Sequence, residues 1–266
     1  MKLKFLNSFI LLISIYLLTI AIGLYVGIDL INRIYVTHEI QPAVENPESA
    51  SAAGQIFIYV LIMTVILLIL IKLGLDFIIR LISILAIFFG VYITLNSFIG
   101  IYGLIITILL MLLFHWKKDN ILVINSMLIL TISGIGAFLG ASLALIPSLL
   151  LLIILSIYDL IAVFGTKHMV KIAENVKGKF PFMFLIPVGE KSMGLGTGDL
   201  AIPLMFTVSV LKDYALNNSI ITALGGLIGI SSLFFYVTNK EKVTLPALPP
   251  IAIGLIIGFL FTFFIF

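Results

Sequence analysis

Two aspartates stand where a chain of this composition can least easily hold a charge. Asp159 lies inside Leu155-Ser-Ile-Tyr-Asp-Leu-Ile-Ala-Val-Phe164, with apolar neighbours on both sides. Asp199 follows Gly194-Leu-Gly-Thr-Gly198 and opens a second apolar run. The other ten of the 12 acidic residues fall in polar connections or at the ends of apolar runs. A lone carboxylate in hydrocarbon costs on the order of several kcal/mol, so such a residue marks a pathway or a site. Two at matched depth on consecutive helices suggest an aspartyl dyad. One ionised carboxylate takes a proton from water while its protonated partner donates to a scissile carbonyl, and the pair shares a single proton. Two other uses of the same residues stay open: hydrogen bonding to a neighbouring helix, and proton or cation binding in a transporter or channel.

Other routes to peptide hydrolysis lack their residues. A His-Glu-x-x-His metal site would need a second His after His38-Glu39, but Ile40, Gln41 and Pro42 follow. His38, His115 and His168 all lie in connections or at span ends, where none serves as a membrane-embedded base for a serine. Gly140-Ala-Ser142 is followed by Leu143, a weak match to a nucleophile turn. The absence of Cys excludes disulfides, thiolate catalysis and Cys-ligated metals.

The elements that must hold the aspartates are membrane helices. Of 266 residues, 62% are hydrophobic and 10% charged, with mean hydropathy +1.32; a soluble domain carries about 25% charge. The apolar runs are continuous, as in helices, and do not alternate as in a transmembrane barrel. Breaks at charges, prolines and polar clusters predict an all-α polytopic membrane protein with nine spans, near 5–27, 55–74, 79–96, 98–114, 121–142, 145–165, 197–214, 218–237 and 246–266. Only Asn96, Ser97 and Gly100 divide the third span from the fourth. The first run follows Lys2 and Lys4 like a signal peptide, but it is long and lacks a small-residue cleavage site, so it reads as a retained helix. In the long connection 166–196, Met169, Ile172, Ala173 and Val176 recur at helical spacing, which predicts a short surface helix. Gly136 with Gly140 and Gly254 with Gly258 have the spacing of close helix contacts.

Charge placement predicts the orientation, because basic residues favour cytoplasmic loops. With the N-terminus inside, 13 of the 15 basic residues fall on the inner face and only Arg33 and Lys212 on the outer. Merging the third and fourth spans would scatter the lysines over both faces. The expected molecule is a multi-pass cell-membrane protein, N-terminus cytoplasmic and C-terminus outside. Its five N-terminal helices occupy 1–142, and a four-helix catalytic portion with the cytoplasmic loop 166–196 occupies 143–266, within one integrated membrane domain.

Tyr158-Asp159, Gly196-Thr-Gly-Asp199 and Pro246-Ala-Leu248 resemble the YD, GxGD and PAL motifs of the presenilin and signal peptide peptidase family. Their order, their places on spans six, seven and nine, and the matches Tyr-Asp-Leu-Ile-Ala-Val and Leu-Pro-Ala-Leu-Pro make the combination specific. The resemblance covers mainly 145–266. It implies a presenilin-like fold and an intramembrane aspartyl endopeptidase that cleaves transmembrane segments. Asp159 and Asp199 match the catalytic pair. Tyr158, Gly196, Thr197, Gly198, Pro246, Ala247 and Leu248 match substrate-binding or site-shaping positions. No metal or organic cofactor, no nucleic acid and no obligatory partner subunit is implied; the partners are transmembrane substrates and the bilayer. Thr197 stands where many relatives have Leu. The connection 166–196 is shorter than the loop presenilins cleave on maturation, so the chain resembles the small archaeal homologues. A prepilin-type peptidase also uses GxGD, but Pro246-Ala-Leu248 and Tyr158-Asp159 argue against it, and the internal repeats usual in a transporter are absent.

Overall fold

The computed structural model describes residues 2–117, 119–166, 183–188, 191–238 and 245–265. Within these are nine α-helices: α1 (Lys2–Tyr35), α2 (Ala50–Lys72), α3 (Asp76–Ile99), α4 (Tyr102–Trp116), α5 (Ile121–Ser142), α6 (Leu145–Leu160), α7 (Gly198–Asp213), α8 (Leu216–Thr238) and α9 (Leu248–Ile265). A π-helical turn, Ile161–Thr166, extends α6. Each helix corresponds to one expected span, and the division between the third and fourth occurs at Gly100, whose φ of 58° is open to a residue without Cβ. Seven of the nine are long and apolar enough to cross a membrane. α4 and α7, of 15 and 16 residues, are shorter. The expected surface helix at Met169–Val176 lies outside the described residues.

The core is built around α7. Every residue from Leu200 to Val210 is buried except partly buried Ile202, and the helix packs against α1, α5, α6, α8 and α9. A helix buried on all sides meets no lipid, so it can be short and can carry polar residues. The expected 5–27 helix is longer at both ends, and its stripe Leu12, Ile15, Tyr16, Ile20, Leu24, Leu30 and Ile34 joins the central core. α2, at the edge, buries only Ala52, Ala53 and Ile56 and leans mainly on α6.

Close approaches are made by glycine. A Cβ on Gly136 would lie 2.9 Å from Leu204, and one on Gly140 2.7 Å from Val208, so this pair seats α5 on α7. Gly258 faces the backbone of α8 at Ile221, where a Cβ would come within 2.8 Å of the carbonyl, and Gly225 and Gly254 abut directly. Without a hydrophobic driving force between helices in lipid, such backbone contact supplies the dispersion that holds α8 to α9.

One element departs from the all-helical expectation. Met183–Val188 (β1) and Lys191–Gly196 (β2) form an antiparallel hairpin in the 166–196 connection, with Leu185 opposite Gly194 and Val188 opposite Lys191. Phe184 and Ile186 are fully buried in the central core, so the hairpin belongs to the packed body. The sequence carried a signal for it: Phe184-Leu-Ile-Pro-Val188, then Gly189-Glu190, is an apolar run followed by a Gly-first two-residue connection.

The α8–α9 contact also sets where α9 begins, because a Cβ on Gly229 would stand 2.8 Å from Cα of Ile251 in the first turn of α9. Gly229→Leu is therefore expected to cost about 1–3 kcal/mol through overpacking and to lower the thermal unfolding midpoint in detergent. An unchanged midpoint would contradict this packing.

Candidate active site

Asp159 sits in the last turn of α6 and Asp199 is the second residue of α7. Both are partly buried, and they are near enough for the charge of Asp159 to act on Asp199. Their common depth follows from the far end of the two helices. There Asp213, closing α7, accepts the Leu145 amide at the start of α6 through Oδ2 at 2.7 Å. That amide is an orphan donor with no cap of its own, since Ala144 at the N-cap offers no side-chain acceptor. Asp159 stands fourteen residues after Leu145, and Asp199 fourteen residues before Asp213. At about 1.5 Å per residue, antiparallel helices joined at 145 and 213 are level again about 21 Å away, at 159 and 199.

Further bonds tie the same end. Ser148 Oγ bonds Ser209 Oγ at 2.8 Å, and Ser209 donates to the Leu143 carbonyl at 3.3 Å. Lys212 Nζ donates to the same carbonyl at 2.7 Å, lies 3.7 Å from Asp213 and covers the Tyr35 ring at 5.1 Å.

Each site carboxylate is met by backbone. Leu248, first residue of α9, donates its amide to Asp159 Oδ2 at 3.2 Å, and the Ala247 amide also bonds Asp159. Pro249 and Pro250 follow and have no N–H, so two of the four orphan donors of this helix start are missing and the Leu248 amide points at Asp159. Pro246, Ala247 and Leu248 are all buried. The Pro246-Ala-Leu element thus contacts Asp159.

In the first turn of α7, Asp199 accepts through Oδ2 the amide of Gly196, the last residue of β2, at 3.1 Å. A Cβ at Gly196 would stand 2.9 Å from the same oxygen, so this glycine keeps the space beside the carboxylate clear. Gly198 is different: nothing lies within 4 Å of its Cβ position, and it is exposed in the first turn. The segment before Asp199 is strand β2, which ends at Gly196. Thr197 occupies the N-cap, and its carbonyl accepts from Ala201 at 3.0 Å. Tyr158 points to α2, edge-on to Phe57 with ring centres 6.1 Å apart. Pro203, four residues after Asp199, lacks the amide that would close that turn, so the Asp199 carbonyl has no helical donor.

The description "Signal-peptide peptidase, presenilin aspartyl protease" matches residues 15–266. The chain belongs to this family. It is an integral membrane protein and an intramembrane aspartyl protease. Among solved structures it is similar to a presenilin family intramembrane aspartate protease in two crystal forms. With the C222 form it shares 22% identity at TM-score 0.65, covering 94% of each chain. With the P2 form it shares 24% identity at TM-score 0.65, covering 93% of this chain and 97% of the other. No curated protein matches it.

The fourteen-residue register has a direct consequence. Asp213→Ala frees the start of α6, costing about 1–2 kcal/mol, and lets the two aspartates slip out of level. Cleavage should drop on the order of 10- to 100-fold, as expected for an ångström-scale misplacement, whereas Asp213→Asn keeps an acceptor for Leu145 and retains most activity. Product formation per folded enzyme checks this, and equal loss in both variants would contradict it.

Proposed function

We propose that Asp159 and Asp199 are the catalytic pair of an endopeptidase that hydrolyses peptide bonds within or near transmembrane segments. The observation that carries this reading is that two carboxylates, near the adjoining ends of α6 and α7, each accept a backbone amide, with the charge of Asp159 acting on Asp199. With one proton shared, the ionised carboxylate takes a proton from water, whose oxygen attacks the scissile carbon. The protonated partner donates to the carbonyl oxygen. Collapse of the tetrahedral intermediate breaks the C–N bond, and the pair returns a proton to the leaving amine. The amides of Leu248 and Gly196 hold the carboxylates in place while the proton moves between them.

A helical substrate hides its carbonyls in its own hydrogen bonds, so the reacting stretch must be extended. β2 supports this step, because it runs directly into Thr197 and Asp199 and offers a strand edge beside the dyad. Pro246, Ala247 and Leu248 shape the opposite wall. In this reading residues 143–266, with the 166–196 loop, form the catalytic portion, and 1–142 the helices that frame it.

The orientation that fits has the N-terminus and the dyad end toward the cytoplasm and the C-terminus outside. The two basic residues assigned to the outer face support it. Arg33 is paired with Asp29 at 3.0 Å and bonds Asn96, and Lys212 is paired with Asp213. Both are held by local partners, so neither opposes the bias of the other 13.

The test is incubation of the purified chain in detergent with a single-span peptide across pH, with products located by mass spectrometry. Cleavage within or beside the apolar span is expected, with a bell-shaped pH dependence whose limbs belong to the pair: low pH protonates both carboxylates and high pH removes the shared proton. Ion flux through reconstituted vesicles without any peptide product would overturn the reading.

A further inference from the structure

Asn125, in the second turn of α5, is 3% exposed and carries a carboxamide that must find partners in an apolar setting. It finds both on one residue. Its Nδ2 donates to the Leu185 carbonyl at 2.9 Å, and the Leu185 amide donates to its Oδ1 at 3.0 Å. A carboxamide offers the same donor and acceptor as a peptide group, so Asn125 occupies the place of one residue of a neighbouring strand.

This contact fixes which way the hairpin faces. In an antiparallel ladder the amide and carbonyl of one residue point to the same side. Leu185 therefore turns its backbone away from β2, and Gly194 opposite turns its own away from β1. The next outward residue on β1 is Pro187, which has no amide, and its carbonyl accepts from Ser8 Oγ of α1. The outer edge of β1 is thus filled at 185 and 187 by a side-chain amide, a proline and a hydroxyl. On β2 the outward residues are Ser192, Gly194 and Gly196, and the Gly196 amide already reaches Asp199.

We propose that Asn125 is a positioning residue for the reaction: by filling the outer edge of β1 it directs an extended substrate to the edge of β2 and fixes the register in which one peptide bond meets the dyad. The proposal rests on the reading of Asp159 and Asp199 as the catalytic pair. Without Asn125, the unpaired Leu185 groups offer a second edge, and the hairpin is free to shift along its neighbours. A two-residue shift keeps every side chain on its own face, so it is the slip that burial of Phe184 and Ile186 permits.

The experiment compares the full-length wild type, Asn125→Leu, Asn125→Asp and Ser8→Ala on one single-span peptide, with Asp159→Asn as blank. Cleavage positions come from mass spectrometry, kcat and KM from initial rates, and the folded fraction from thermal unfolding. Asn125→Leu should raise the share of products displaced by two residues at least about fivefold and raise KM more than it lowers kcat. Asn125→Asp, which keeps the acceptor for the Leu185 amide, should shift the positions less. If Asn125→Leu does not fold, Asn125→Asp and Ser8→Ala carry the same displacement test. Unchanged positions and KM in the folded variants, even with lower stability, overturn the positioning role alone. Cleavage by Asp159→Asn at the wild-type rate overturns the catalytic reading, and the proposal with it.

Discussion

The proposed active site depends on one axial register, that between α6 and α7. The bond from the Leu145 amide to Asp213 lies about 21 Å from the two aspartates, yet it helps set their level, because equal fourteen-residue spans run from it to each. α7 can transmit that register because it is packed on all sides, and close-packed interiors do not deform gradually. Glycines 136 and 140 press α5 onto α7. The shared depth of the dyad is thus a property of the whole central bundle.

Around that register, places where regular backbone pairing stops supply the local chemistry. The prolines after Leu248 thin out the donors at the start of α9, and the Leu248 amide is spent on Asp159. Gly196 ends a strand and gives its outward amide to Asp199. Both carboxylates are held by main chain, whose position is set by helix and strand ends. Away from the two aspartates, Arg33 and Lys212 are neutralised locally by Asp29 and Asp213.

The helical bundle was legible in the sequence because hydrocarbon imposes a simple rule: long apolar runs must be helices, and polar breaks must be their ends. Gly100 marked the hardest boundary, and the structure turns there. Asp159 and Asp199 were legible because buried charge is costly enough to stand out. The hairpin was missed because a strand of six residues inside a polar, lysine-bearing connection is outweighed there by helical spacing, and because the partners that hold it, the core around Phe184 and Ile186 and the side chains of Asn125 and Ser8, are distant in sequence. Asn125 and Asp213 have no local motif; their roles exist only through partners brought near by folding. Gly198 illustrates the reverse, a motif position at which the structure finds no steric need, in contrast to Gly196 two residues earlier.

The central claim is that two carboxylates act as one unit, and removing them singly and together tests it most directly. Asp159→Asn, Asp199→Asn and the double variant, each shown to be folded by thermal unfolding, are compared with wild type for peptide cleavage. An amide preserves shape and removes a buried charge, so folding is retained. Each single variant should abolish cleavage, and the double should be no worse than either, because half a dyad does no chemistry. A folded single variant that cleaves within about tenfold of wild type would contradict the account.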